Sequence, residues 1–192
     1  MQTQKEEIRG GIIEAAKEEF LAVGYRHTSM RAIAERVGIT AGNIYAYFNN
    51  KESLLDAIVS PTMAELQNLI SNVSRDGELM TEPTIAEMAQ SITDVFLKNR
   101  IQFLILMNGC AGSKYEHARQ EFTRYAAFRI ETELLPRLSR KTQSRLLAEA
   151  IAESLLSGIF YLFSRFDGDE KTLRQNMKDF LMLTLYHGTE LL

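Results

Sequence analysis

Apolar residues recur at helical spacing along nearly all of this 192-residue chain, and no segment alternates apolar with polar as a half-buried strand must. The first stripe is Ile8, Ile12, Ala15, Ala16, Phe20 and Val23, closed by Gly24. Thr28 or Ser29 offers a side-chain oxygen to the free N–H groups of a second helix. That helix places Met30, Ile33, Ala34 and Val37 on one face and stops at Gly38. Thr40 caps a third short helix, running to Phe48, that buries Ile44 and Phe48. A fourth starts near Asn50 and turns Leu54, Leu55 and Ile58 inward. An all-α fold is predicted.

At Ser60-Pro61 the pattern is interrupted. Proline lacks an N–H and clashes with the preceding turn, so a kink or break is expected there. The boundary is accordingly placed between a domain of residues 1–59 and a larger helical domain of residues 60–192. In the latter, Met63, Leu66, Leu69, Ile70 and Val73 resume the stripe, and Ser74 to Pro83 reads as a loop. Thr84 and Glu87 fit a capping box ahead of Ile85, Met88, Ala89, Ile92, Val95 and Phe96. Ile101 to Met107 is apolar almost all round and reads as a buried helix. A helix from about Ser113 to Leu135 is expected to end at Pro136. Two long helices follow, roughly 142–166 and 170–190, separated by Asp167-Gly168-Asp169.

Several chemistries are disfavoured. One cysteine, Cys110, allows no internal disulfide, and His27, His117 and His187 are too far apart in sequence for metal-ligand spacing. No metal and no cofactor are expected. No apolar run approaches the roughly 20 residues that cross a bilayer. The first twenty residues, with Lys5, Glu6, Glu7, Arg9 and Glu14, lack the apolar centre of a signal peptide. The chain therefore reads as cytoplasmic, with no membrane partner. Its net charge of −3 hides an asymmetry: the segment from Arg26 to Lys51 carries Arg26, Arg31, Arg36 and Lys51 against Glu35 alone. A local basic patch attracts phosphate whatever the total charge.

That basic segment contains two short capped helices joined by a turn at Gly38, the pattern of a helix-turn-helix. The second helix of such a motif enters the major groove of double-stranded DNA. Ala41 and Gly42 are small enough to let the backbone approach base edges. Asn43 has the bidentate amide that pairs with adenine, and Tyr45 and Tyr47 can donate to phosphates. Arg31 can reach a guanine or a phosphate, and Lys51 can pin the next phosphate. Two residues apart on a helix, Tyr45 and Tyr47 cannot both lie with Ile44 and Phe48, so at least one should be exposed.

The residues Ile12, Ala15, Ala16, Phe20, Gly24-Tyr25, Thr28-Ser29-Met30-Arg31, Ile33-Ala34, Gly38-Ile39, Gly42, Ile44-Tyr45, Tyr47-Phe48, Lys51-Glu52 and Leu54-Leu55 carry a resemblance to the opening of the TetR family. It covers residues 8 to 58. The resemblance implies a homodimeric repressor that binds an operator and is controlled by a small effector in its C-terminal domain. It assigns DNA contacts to Arg31, Ala41, Gly42, Asn43, Tyr45, Tyr47 and Lys51, with Thr28, Ser29 and Thr40 as helix-start residues near phosphates.

Beyond residue 60 the residues speak for themselves. The last two helices are apolar on more than one stripe, from Leu146, Leu147, Ile151 and Leu155 through Phe166, then Leu173 to Leu185. One covered face needs only a ~100° stripe, so the surplus implies a partner, a four-helix interface between two copies. Ser154, Ser157 and Gly158 would permit close crossing there. Met88, Phe96, Phe103, Met107 and Tyr125 are the candidate lining of an apolar cavity, with Arg124 a charge near its entrance, for a small hydrophobic or aromatic effector. Control by a protein partner is the rival within DNA binding. A helical enzyme is the rival from another class; it would need converging titratable groups, for which His117, Glu121 and Arg124 are the one cluster to test. Cys110 and His117 as nucleophile and base are disfavoured by the glycines, Gly109 and Gly112, flanking the cysteine.

Overall fold

The computed structural model describes residues 2–72, 81–138 and 144–186, and every regular element among them is helical. In chain order these are α1 (Gln2–His27), α2 (Met30–Val37), α3 (Ala41–Ile44), α4 (Lys51–Asn72), α5 (Glu82–Lys98), α6 (Arg100–Leu104), α7 (Ala118–Arg129), α8 (Leu135–Leu138), α9 (Arg145–Ser164) and α10 (Glu170–Leu181). Wider π-helical turns extend α6 over Ile105–Gly109, α7 over Ile130–Leu134 and α10 over Met182–Tyr186. The chain divides into two compact units, Met1–Glu65 with Asn99–Arg119, and Leu66–Lys98 with Gln120–Leu192.

In the first unit α1 contributes Ile12, Ala16 and Phe20 to a core completed by Met30, Ile33 and Ala34 of α2, Ile44 of α3 and Leu54, Leu55, Ile58 and Val59 of α4. Val23, expected on the α1 stripe, is 48% exposed. Gly24, directly after it, leaves the helical path with a φ of 77°. One more turn follows it, and this change of direction buries Tyr25 instead, its ring 5.8 Å from that of Phe20. The break expected at Pro61 does not occur: α4 runs through it to Asn72. Proline removes one hydrogen bond of the helix ladder. Here Pro61 itself is exposed, while Ile58, Val59 and Thr62 around it are buried and hold the helix in place.

Two further helix starts differ from expectation for local reasons. Of the expected loop from Ser74 to Pro83, residues up to Met80 lie outside the described residues. Thr81, not Thr84, caps α5: its Oγ1 accepts from the Thr84 N–H at 3.4 Å. Pro83 then sits in the first turn, where its missing N–H costs nothing. The helix expected from Ser113 starts only at Ala118, because Gly112 at φ 84° and a Ser113 Oγ–Cys110 carbonyl bond of 2.7 Å fold the preceding residues into turns. Pro136 lies within α8 and does not end it. The run Ile101–Met107 is one-sided: Phe103, Ile105 and Leu106 are buried and Ile101 is exposed.

The second unit packs α5 (Ile85, Ala89, Thr93, Phe96) with α10 (Leu173, Met177, Leu181), and Arg174 pairs with Asp94 at 2.6 Å across them. A second cluster joins Ala127, Ile130 and Leu135 to Ala148 and Ala152 of α9, with Leu147, Ile151 and Leu155 against it. Ser144 caps α9 and Asp169 caps α10, each accepting a bond from an N–H three residues on. The helices cross at Gly158, where a Cβ would overlap the ring of Phe180. The glycine expected to serve contact between copies thus serves a crossing inside the chain. The helix end expected near 190 lies outside the described residues. By length and composition alone α9 is long and apolar enough to cross a membrane, although Glu149 and Glu153 interrupt its apolar run.

Candidate nucleic-acid interface

The orientation of α3 is set by the turn before it. Ser29, in extended geometry, accepts from the Ala32 N–H at 3.1 Å and so settles which residue caps α2. At the other end Gly38 adopts φ 73°, ψ 27°. Its N–H bonds the Glu35 carbonyl at 3.2 Å and the Ile39 N–H bonds Ala34 at 3.0 Å, the pair of bonds that closes a Schellman cap. A side chain at that φ is strained, which is why glycine stands there. Thr40 then caps α3, its Oγ1 accepting from the Asn43 N–H at 3.2 Å. Only Ala41–Ile44 is helical, and the chain reaches Phe48 through turns closed by Tyr47 and Phe48 N–H bonds to Ile44. The reading element is shorter than the expected Thr40 to Phe48 helix.

Burial sorts the candidate residues. Ile44 and Phe48 point into the core, while Thr40, Ala41, Gly42, Asn43 and Tyr45 are exposed, Tyr45 by 51%. Ser29 is exposed beside them in sequence at the start of α2, and the Arg31 side chain is 80% exposed, held by Glu35 at 2.9 Å. Tyr47 is half-buried. Thr28 is buried and donates its hydroxyl to the Gly24 carbonyl at 2.9 Å, so its side chain is turned inward at the break in α1.

Lys51 has a structural engagement that sequence reasoning missed. Its ammonium donates to the carbonyls of Tyr25 at 2.6 Å and Thr28 at 2.7 Å, and sits 4.2 Å from the centre of the Tyr25 ring. Desolvation there pulls its pKa below the ordinary lysine value. It ties the end of α1 to the start of α4, and one of its three N–H groups remains for an outside acceptor. Next to it, Glu52 accepts the Tyr25 hydroxyl at 2.7 Å with one oxygen and the Lys114 N–H at 3.0 Å with the other. Burial, then the bond to Glu52, raises the Tyr25 phenol to about 12. One turn on, Asp56 takes the Tyr115 hydroxyl and the Lys114 ammonium at 2.5 Å, which hold its carboxyl below the usual range. The turn carrying Lys114 and Tyr115 is therefore fastened to α4 inside the same unit. Partners some sixty residues apart leave no periodic trace in a sequence.

The remaining candidates are dispersed. Phe103 and Met107 belong to the first unit, and Met88, Phe96 and Tyr125 to the second. Phe96 stacks on Phe163 with ring centres 3.7 Å apart. Tyr125 is partly exposed, its hydroxyl 3.0 Å from that of Ser71. Ser71 first, and then Arg129, lower its pKa. Arg124 and Glu121 are exposed. Cys110 is buried, donates to the Ile105 carbonyl at 3.3 Å and is pushed up to about 11 by burial, an unreactive thiol. His117 is exposed, 3.3 Å from Glu116.

Comparison with known proteins agrees with this geometry. Residues 12–58 match the family model described as bacterial regulatory proteins, tetR family. The chain is 43% identical over 56 residues to the HTH-type transcriptional regulator TtgR of Pseudomonas putida, a match covering 29% of this chain and 27% of that protein. Such matches span less than a third of the curated relatives' length. Likeness in fold runs much further. A TetR-family transcriptional regulator from Bordetella parapertussis superposes with a TM-score of 0.69 at 19% identity, over 94% of this chain and 95% of that one. NalD, the secondary repressor of the MexAB-OprM multidrug efflux pump in Pseudomonas aeruginosa, gives 0.58 at 22% identity, over 91% and 95%.

Proposed function

We propose that this chain, whose residues 12–58 match the family model of bacterial regulatory proteins, tetR family, regulates transcription as a homodimer that binds a pseudo-palindromic operator. The observation that carries this is the one-sidedness of the α3 segment: Ile44 and Phe48 anchor it while Thr40 to Asn43 and Tyr45 face solvent. Small residues at 41 and 42 bring the backbone close to the groove floor, Asn43 reads a base, and Ser29, Arg31, Tyr45 and the spare N–H of Lys51 hold phosphates. Two such units in a dimer would sit about 34 Å apart, one turn of DNA. Repression is the direction favoured, by analogy with NalD. A small hydrophobic or aromatic effector, bound in the second unit with Met88, Phe96 and Tyr125 as candidate contacts, would favour a dimer whose half-site spacing no longer fits.

The test is selection from random duplex DNA at stated salt. Parent protein should enrich a two-fold symmetric sequence. Asn43→Ala should lose about 1–3 kcal/mol of discrimination at one base pair per half-site, the value of a bidentate contact. Enrichment of no sequence by the parent would overturn the regulator reading, and an unchanged motif for the variant would remove Asn43 as a reader.

The dimer reading is supported by α9, in which every residue from Leu155 to Phe160 is only half-buried, and by Leu146, Tyr161 and Leu183, which are 76%, 60% and 67% exposed. Leu183→Glu is the appropriate probe, because Leu155, the alternative, packs on the α7–α9 cluster. Light scattering should show a dimer for the parent and a monomer with unchanged helix content for the variant. A monomeric parent at micromolar concentration counts against the interface.

A further inference from the structure

We propose that the opening turns of α1 hold the operator backbone through Arg9, with Lys5 one turn earlier on the same helix face, forming a phosphate site beside the groove that α3 enters. The inference rests on the regulator reading and adds a contact to it. Three observations place the site. The Arg9 guanidinium lies 5.1 Å from the centre of the Phe48 ring, and Phe48 closes the α3 segment. Two residues on, a Cβ at Gly11 would lie 3.4 Å from Val37, the last residue of α2. The start of α1 thus packs against the end of α2 and against the turn that follows α3. Arg9 is also exposed and forms no ion pair among the described residues, whereas Arg31 and Arg36 are each engaged by carboxylates. Lys5 is exposed likewise, and Glu6 and Glu7 on the same turns pair with neither cation among the described residues.

A guanidinium laid over an aromatic face has its position set by the ring while its N–H edge stays in water. That edge is matched to two oxygens of one phosphate, the acceptor that DNA repeats along each strand. A contact of this kind carries no base information. It adds to affinity and to the salt dependence of binding, by release of one counterion per phosphate neutralised.

The experiment measures affinity for the parent's selected duplex across a range of salt. Arg9→Met keeps the aliphatic cover on Phe48 and removes the charge; Arg9→Lys keeps the charge. Arg9→Met should weaken binding several-fold at low salt, reduce the slope of log K against log salt by about 0.9, and leave the selected sequence and the helix content unchanged. Arg9→Lys should retain the parent's slope. Adding Lys5→Gln to Arg9→Met should reduce the slope by about the same amount again. A parental slope in Arg9→Met overturns the proposal while leaving the regulator reading intact. An equal loss in Arg9→Met and Arg9→Lys also overturns it, since packing and not charge would then be at work. A parent that binds no duplex overturns both.

Discussion

Lys51→Met is expected to lower the melting temperature by about 4–8 °C and to weaken operator binding together. The ammonium bonds two carbonyls at the end of α1, Tyr25 and Thr28, and covers the Tyr25 ring. Hydrogen bonds to a charged group contribute about 1.5–3 kcal/mol each, and part-exposure lets water replace some of that, so a net loss of about 2 kcal/mol is reasonable. At 150–250 residues each kcal/mol moves the midpoint by about 2–4 °C. Operator affinity falls because the tie that sets α4 against the end of α1 is lost, and with it the proposed phosphate contact. Tyr45→Phe is the control. Its hydroxyl is exposed and its removal should weaken DNA binding with no change in melting. Thermal denaturation and an operator titration on both variants separate the roles. An unchanged midpoint in Lys51→Met would mean that the two carbonyl bonds contribute nothing to stability.

Gly158→Leu should be the more damaging change to the second unit. The added side chain would meet the Phe180 ring directly, since even a Cβ overlaps it. Overpacking of this kind costs about 1–3 kcal/mol, relieved by turning the Phe180 ring aside or by separating α9 from α10. Separation would also disturb the surface proposed to meet a second copy. Gly158→Ala tests the cause more sharply when combined with Phe180→Leu. If the ring is the obstacle, the second change should recover part of the loss from the first, with a coupling of about 0.5–3 kcal/mol for residues in contact. Urea unfolding at fixed protein concentration supplies the numbers, because the stability of a dimer depends on concentration. Strictly additive losses would place the cost elsewhere.

Gly38 and Gly158 mark where sequence reasoning succeeds and where it stops. Gly38 was legible as a helix stop because its neighbours carry complete local signals: an apolar stripe ending at Val37 and a threonine cap two residues on. The structure then supplies the reason, a left-handed φ closing a Schellman cap. Gly158 is equally visible as a small residue in an apolar helix, but its partner is Phe180 of the same chain and not a second copy. Nothing local says whether a small residue on a long apolar helix faces its own chain or another.

The same division runs through the whole chain. Helix content, the order of the helices and the outward face of α3 follow from spacings of three and four residues and from caps, which act within a few residues of where they are written. Pro61 misled because the penalty of a proline is local, while the packing of Ile58, Val59 and Thr62 that holds α4 together comes from the folded core. Thr84 misled because Thr81 competes for the same cap and only the folded chain decides between them. Tertiary structure alone decided that Lys51 reaches back to Tyr25 and Thr28, that Glu52 and Asp56 hold the turn at Lys114 and Tyr115, and that Arg9 lies over Phe48. Each of these joins residues more than twenty positions apart. Their pairing depends on where the hydrophobic core sets the helices, which a linear pattern does not encode.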